Sequence, residues 1–182
     1  MDADGNVLAH PKGRSVAAFD ATLSGDVPEF FDLKKKAEAK NSSDDAKAAF
    51  FMKRFELGHL DTDQMKKAIG KGSILSAAQI KQITGKLAEA KVQEILRGVN
   101  PRDESKVGEA AKKLLALEKS DGLPPGRAGL NAWFLIMTDA SQRNDAKGFE
   151  RAFNAMKAGG ANNPRWIKAQ EERLKELQGG KK

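Results

Sequence analysis

The chain has 182 residues, and its 32 Lys and Arg outnumber its 25 Asp and Glu, which gives a formal net charge of +7. It contains no Cys, and no stretch approaches the ~20 consecutive apolar residues that a membrane-spanning helix needs. The sequence therefore excludes a membrane span, a disulfide scaffold, thiol chemistry within the chain and a cysteine-ligated metal. Because 40% of the residues are hydrophobic, we expect a soluble, folded and mostly helical protein.

The N-terminus does not resemble a signal peptide. Residues 1–23 include Asp2, Asp4 and Asp20, and they lack both a basic start and an apolar run. The sequence therefore leaves the compartment open: the protein is cytoplasmic, or it is exported and an upstream export segment has been removed.

The first predicted elements are a short strand and a short helix within residues 1–25. Asp4-Gly5 favours a tight turn into a strand over residues 7–10. Ser15 is a typical cap for a helix over residues 16–23, and Gly25 is predicted to end that helix.

The remaining chain, residues 26–182, carries the signals of successive helices. Polar caps, early prolines and terminal glycines recur at short intervals, with apolar residues every three to four positions between them. The run Trp133-Phe134-Leu135-Ile136-Met137 leaves no polar face and predicts the most buried helix. The other predicted helix starts are Asp26-Val27-Pro28-Glu29, Asp44 or Asp45, Asp61, Ser76, Asn100-Pro101, Asn144 or Asp145, and Asn163-Pro164.

The predicted core consists of the apolar residues on these helix faces, and it includes both Trp133 and Trp166. Its other main members are Phe30, Phe31, Phe50, Phe51, Phe55, Ile83, Leu87, Ile95, Val107, Ala110, Ala111, Leu114, Phe149, Phe153, Met156, Leu174 and Leu177.

These elements predict an all-α fold, with a helical domain over residues 26–182 behind a strand-plus-helix segment over residues 1–25. Short links make successive helices antiparallel neighbours, in an array or an irregular bundle. A tetratricopeptide-like array is one alternative, since Asp45-Ala46-Lys47 and Asp145-Ala146-Lys147 begin aromatic-bearing helices and lie about three repeats of ~34 residues apart. The Trp, Gly and Tyr positions of that repeat are absent, so an irregular bundle fits at least as well.

No motif predicts a catalytic, cofactor-binding or metal-binding residue. His10 and His59 are the only imidazoles, and the chain offers them no Cys and no Gly-x-Ser-x-Gly partner. Asp2, Asp4 and Asn6 have the first spacings of a calcium loop, but its central Gly and its final Glu are missing. We therefore expect no cofactor, no metal and no enzymatic activity, and an active site formed only in three dimensions is the least favoured alternative.

Basic residues form four clusters, each in a different predicted segment. Nucleic-acid binding needs such residues on one face, with exposed aromatic residues between them. The aromatic residues are predicted in the core, so solvated surfaces are favoured. Residues 101–182 nevertheless carry sixteen basic and eleven acidic residues, which leaves an acidic partner open. The clusters are Lys34-Lys35-Lys36, Lys66-Lys67, Lys112-Lys113 and Lys181-Lys182.

Residues 2–23 resemble the C-terminal end of a thioredoxin-like domain. Residues 2–9, Asp-Ala-Asp-Gly-Asn-Val-Leu-Ala, are similar to that family's last hairpin turn and edge strand, and residues 13–19, Gly-Arg-Ser-Val-Ala-Ala-Phe, to its last helix. The helical remainder resembles the long extension that follows such domains in some bacterial proteins. The family's Cys-x-x-Cys and cis-proline strand have no counterpart here, so no catalytic residue carries over. The resemblance implies that the chain is the tail of a larger redox-type protein.

Two functional hypotheses follow. The first is a non-catalytic helical interaction module, the C-terminal extension of a thioredoxin-like protein, which presents a concave surface to a protein or peptide partner. The alternative is a small basic helical protein that binds nucleic acid or another acidic partner. The sequence does not define the oligomeric state.

Overall fold

The predicted all-α fold is confirmed. The computed structural model describes residues 7–179, and over these residues the chain contains helices and loops but no strand. A π-helical segment, Thr22–Asp26, joins the first two α-helices. The α-helices are α1 (Val16–Ala21), α2 (Val27–Glu38), α3 (Asp44–Glu56), α4 (Thr62–Ala68), α5 (Ala77–Leu96), α6 (Glu104–Ser120), α7 (Gly126–Gln142), α8 (Ala146–Ala158) and α9 (Pro164–Gly179).

Most helices begin where the sequence predicts, because their caps are local. Asp61 and Gln64 form a capping box at α4, and the Asp145 side chain accepts a hydrogen bond from the backbone N–H of Gly148 at α8. The predicted start of α6 at Asn100-Pro101 is wrong. Asn100 Oδ1 instead accepts from the backbone N–H of Arg102 in a turn, and Asp103 caps α6 three residues later.

The strand predicted over residues 7–10 is wrong, because these residues are irregular. A strand needs a neighbouring strand to accept its backbone hydrogen bonds, and none is present in the described part of the chain. The segment is instead held by side chains. The carbonyl of Val7 bonds to His59 Nε2 at 2.5 Å, and Leu8 is buried. The predicted turn at Asp4-Gly5 lies outside the described residues.

Gly25 does not end the first helix, contrary to the sequence prediction. The backbone continues from α1 through the π-helical segment into α2. Pro28 supplies a physical reason for the wider turn, since its ring crowds the carbonyl four residues earlier and it has no N–H to donate. The predicted domain boundary between residues 25 and 26 falls in this continuous stretch and stays a prediction.

The chain divides into two compact units, residues 1–84 (unit 1) and residues 85–182 (unit 2), and the division falls inside α5. In unit 1, Phe30 on α2 is the central core aromatic. Its ring lies 5.5 Å from that of Phe50 and 5.9 Å from that of His59, in edge contacts. Met52 is buried on α3, whereas the predicted core residues Phe51 and Phe55 are only half-buried.

An ion pair joins α2 to α3 in unit 1. Lys53 Nζ lies 2.6 Å from Glu29 Oε2. The hydrogen bond from Lys53, and then its charge, lower the pKa of Glu29 below the ordinary value of 4.5. The pair therefore stabilises unit 1 at neutral pH, and its small contribution is lost as the pH falls through the lowered pKa.

We expect carboxyl NMR to give Glu29 a titration midpoint below 4.5. Lys53→Ala removes the two largest causes of the shift, so the midpoint should rise toward the ordinary value. Lys47→Ala, on the same helix but paired with Asp44, is the matched control and should leave Glu29 unchanged. A wild-type midpoint at or above 4.5 would contradict the ion pair.

Unit 2 contains the larger core, built from α6 to α9 and the end of α5. Consecutive helices of this unit contact one another, α6 with α7, α7 with α8 and α8 with α9, and the antiparallel order that their short links predict stays a prediction. Val107, Leu114, Phe149 and Phe153 are fully buried. Both Trp side chains are partly buried against this core, in agreement with the prediction. Within residues 7–179, no helix combines the length and the apolarity needed to cross a bilayer.

Candidate functional site

The two histidines lie in unit 1 and have different surroundings. His59 packs on Phe30 and bonds to the Val7 carbonyl, so its ring fastens the N-terminal segment. His10 lies at an open cleft that Glu29 and Lys53 also line. Over residues 7–179, no group of three or more His, Cys, Asp or Glu is placed to hold a metal ion. The remaining candidate ligands from the sequence, Asp2, Asp4 and Asn6, lie outside this range.

A cleft of about 620 Å³ lies between α6 and α7 in unit 2. Glu104, Glu109 and Lys112 line its walls, and Asp139 and Arg143 also border it. Asp139 is only 5% exposed, and Arg143 donates to its Oδ2 from Nε at 3.0 Å and from Nη2 at 2.7 Å. This cleft therefore contains a buried carboxylate, that of Asp139, which is paired with Arg143.

The Asp139–Arg143 pair has a structural explanation. The two residues are four apart at the C-terminal end of α7, and the hydrogen bond to Asp139 raises the pKa of Arg143 above its ordinary value. Two charge-assisted hydrogen bonds from Arg143 engage Oδ2 of Asp139, so the ion pair explains the burial of this carboxylate without a catalytic role. The pair fixes the corner between α7 and α8, where Arg143 also approaches Asp145.

A second depression, which we call the α7–α9 groove, has a volume of about 380 Å³ and is open to solvent. Its apolar lining consists of Phe134, Met137, Phe149 and Ala169. Met137 and Phe149 belong to the buried core of unit 2, whereas Phe134 remains 43% exposed. The core of unit 2 is thus continuous with an aromatic surface that solvent reaches.

The polar lining of the α7–α9 groove consists of Thr138, Ser141, Gln142, Gln170 and Arg173. Arg173 is the only charged residue among the nine that line it. Its Nε donates to Ser141 Oγ at 3.0 Å, and its Nη2 lies 3.4 Å from the Ser141 carbonyl oxygen. An apolar lining with a few oriented polar groups is the usual composition of a binding cleft.

No family model matches the chain, and neither a curated protein nor a solved structure matches it. What the groove binds must therefore follow from the chemistry of its own side chains.

A further apolar surface in unit 1, which we call the α1 row, lies on α1 and on the π-helical segment that follows it. It consists of Val16, Phe19 and Leu23, whose side chains are 79%, 50% and 65% exposed. The spacing places them along one side of the helix. None of the residues of α1 itself is buried, so this helix projects its apolar side chains into solvent.

The basic clusters lie on separate helices, as predicted. Lys34-Lys35-Lys36 is exposed on α2, Lys66-Lys67 on α4 and Lys112-Lys113 on α6, while Lys181-Lys182 lies outside the described residues. Phe31, predicted in the core, is 48% exposed one turn before Lys34 and Lys35. One cluster therefore has an exposed aromatic neighbour.

Neither the α7–α9 groove nor the buried Asp139 is predicted from the sequence. Phe134 is one of five consecutive apolar residues that predict a buried helix, and nothing local indicates which of the five stays uncovered. The Asp139–Arg143 spacing of four residues was a usable signal, because such pairs meet on a helix surface. No local signal connects Ser141 with Arg173, which lies 32 residues later.

Proposed function

We propose that this chain is a non-catalytic helical interaction module that binds a polypeptide in the α7–α9 groove of unit 2. The main observation in support is that the apolar lining of this groove is open to solvent and includes the exposed ring of Phe134. Covering such a ring removes apolar surface from water, which stabilises a complex by up to roughly 1.5–3 kcal/mol for a full side chain.

The polar rim favours a polypeptide as the occupant. A bound peptide buries backbone N–H and C=O groups, which need hydrogen-bonding partners. Thr138, Gln142 and Gln170 supply hydroxyl and amide groups that both donate and accept. In this proposal α6 to α9 stack in a tetratricopeptide-like array, and the groove is its recognition surface.

Phe134→Ala tests this proposal. An array of N-acetylated, C-amidated octapeptides with randomised positions identifies the tightest-binding peptide, and its Kd is then measured by fluorescence anisotropy. We expect Phe134→Ala to weaken binding about tenfold, which corresponds to about 1.4 kcal/mol of lost contact.

Phe31→Ala is the matched control, because it removes a ring of similar exposure from unit 1. Peptide binding should survive this change. If the array yields no binder, or if both Phe variants bind as the wild type does, the proposal is wrong.

We also propose that α1 is the last helix of a thioredoxin-like domain, which the present chain extends. The exposed α1 row supports this, since a helix of such a domain buries one apolar face against a sheet. The coding sequence upstream of Met1 is the test. A continuous reading frame that encodes Cys-x-x-Cys within a βαβ pattern supports the proposal, and an in-frame stop codon directly upstream of Met1 contradicts it.

One observation favours the alternative function, nucleic-acid binding: the exposed Phe31 lies beside Lys34 and Lys35 on α2. Stacking on an aromatic ring next to cations is how many proteins hold single strands. This alternative predicts that a twelve-residue oligothymidylate binds with steep salt dependence and that Phe31→Ala, not Phe134→Ala, weakens it. Absence of binding at low salt removes the alternative.

A further inference from the structure

We infer that the polypeptide bound in the α7–α9 groove carries a carboxylate and that Arg173 binds this carboxylate. The inference rests on the proposed function and adds the chemistry of the partner. It follows from how Arg173 is held, from what its guanidinium already contacts, and from the absence of other charge in the lining of this groove.

Arg173 is held in position by α7. Its Nε donates to Ser141 Oγ, and Nη2 reaches the Ser141 carbonyl oxygen. Two contacts to one residue fix the plane of the guanidinium, so little side-chain freedom remains to be lost when a partner binds. The outer edge of the same group stays accessible, since the side chain is 41% exposed.

The outer edge of the guanidinium already contacts a carboxylate. Arg173 Nη1 lies 3.0 Å from Glu176 Oε2, one turn further along α9. Glu176 is 66% exposed, and such surface pairs contribute little to stability. A carboxylate of the partner can therefore replace Glu176 at this edge, in the planar two-point geometry that guanidinium groups favour.

Charge makes a neutral partner unfavourable. Among the residues of the described range 7–179 that line the groove, Arg173 is the only charged one. A peptide lying on Phe134 and Met137 removes water from the guanidinium. If the peptide displaces Glu176 and supplies no charge of its own, the guanidinium loses its partner charge as well, which is costly. A carboxylate on the peptide compensates for this loss, so the groove selects acidic peptides over neutral ones of the same shape.

The presence of a single cationic residue in the lining also disfavours a nucleic acid at this groove. A strand presents a phosphate at every nucleotide and is normally held by several cations along its backbone. The groove offers one cation, and Glu176 lies directly beside it. We therefore assign the groove to an acidic polypeptide.

The test compares the tightest peptide of the octapeptide array with its isosteric amide, in which the acidic residue is replaced by Asn or Gln. We expect the acidic peptide to bind the wild-type chain roughly 10- to 100-fold more tightly, as one charge-assisted interaction implies. In Arg173→Gln the acidic peptide and its amide should bind with the same Kd. Glu176→Gln, which removes the competing carboxylate, should increase the affinity for the acidic peptide.

Lys168→Gln is the matched control. It removes one positive charge from an exposed position on α9 that does not line the groove, so the ratio should stay as in the wild type. A general loss of folding would weaken both peptides equally, and circular dichroism checks it directly. If Arg173→Gln fails to fold, Arg173→Lys is used instead. It keeps the positive charge but lacks the planar guanidinium, so it should reduce the preference for the acidic peptide over its amide.

The outcomes separate the two proposals. Peptides that bind and shift the NMR signals of Phe134 and Met137, but without a preference for acid, overturn the inference and leave the proposed function standing. If no peptide binds at the groove, or if oligothymidylate binds there instead, both fail. An acid preference that persists in Arg173→Gln also overturns the inference, because another group would then hold the carboxylate.

Discussion

Phe153→Ala should lower the free energy of unfolding of unit 2 by about 3–5 kcal/mol, the usual cost of removing a large aromatic side chain from a packed core. Phe153 is fully buried on α8, and its ring lies 5.6 Å from that of Trp166 on α9. Lys157 also lies over this ring, with Nζ 4.5 Å from the centroid. The substitution therefore leaves a cavity and removes a contact between α8 and α9.

Tryptophan fluorescence during urea unfolding measures this loss in unit 2 alone. The chain has two Trp, and both Trp133 and Trp166 belong to unit 2. Phe134→Ala is the control in the same unit, because its ring is 43% exposed and its removal should cost less than about 1.5 kcal/mol. Equal losses for the two variants would contradict the burial of Phe153.

The helices of this protein were predictable because their starts depend on residues close in sequence. Asp61 and Gln64 satisfy one another's backbone groups within a single turn, so four residues suffice to predict the start of α4. The same locality explains the error at α6. Asn100 and Asp103 are both good caps, and the choice between them depends on the turn that Asn100 forms with Arg102.

The N-terminal segment was predicted less well, because a strand depends on a distant partner. Residues 7–10 have the composition of a strand, yet what holds them is His59, 52 residues away from Val7. The burial of Leu8 is equally non-local. A residue pattern over four positions contains no information about such contacts.

The candidate groove depends on the placement of α9 over α7, and helix periodicity does not supply that. Five consecutive apolar residues predict burial all around α7, and the structure confirms it for Leu135, Ile136 and Met137. Phe134 stays 43% exposed and lines the groove together with residues of α9. Sequence therefore indicates which residues of α7 are apolar, but only the packed helices show which of them is available to a partner.

Ser141 illustrates how one residue connects stability with the proposed recognition. Its hydroxyl accepts from Arg173 Nε, which joins α7 to α9 and also orients the guanidinium. In the sequence this serine is an ordinary polar residue near a helix end. Its role follows only from its distance to Arg173 on α9, and the proposed binding of an acidic partner depends on the guanidinium that this contact orients.

Gly129→Ala should destabilise unit 2 by about 3 kcal/mol, at the upper end of the usual range for an overpacked site. A Cβ at residue 129 would overlap the carbonyl oxygen of Pro124. No side-chain rotation relieves this overlap, because the obstructing atom belongs to the backbone. The preceding loop is also stiff, since the rings of Pro124 and Pro125 fix their φ angles. Either α7 or this loop must move, and α7 packs against both α6 and α8.

Gly85→Ala is the matched control for the same substitution. Gly85 lies inside α5 and belongs to unit 2, and a Cβ there meets nothing within 4 Å. Replacing a helical glycine by alanine reduces the freedom of the unfolded chain, so this variant should gain roughly 0.5–1 kcal/mol. Urea unfolding followed by Trp fluorescence compares the two. A Gly129→Ala protein as stable as the wild type would mean that the Pro124 carbonyl does not cover the start of α7, and the close packing of this loop on α7 would then be wrong.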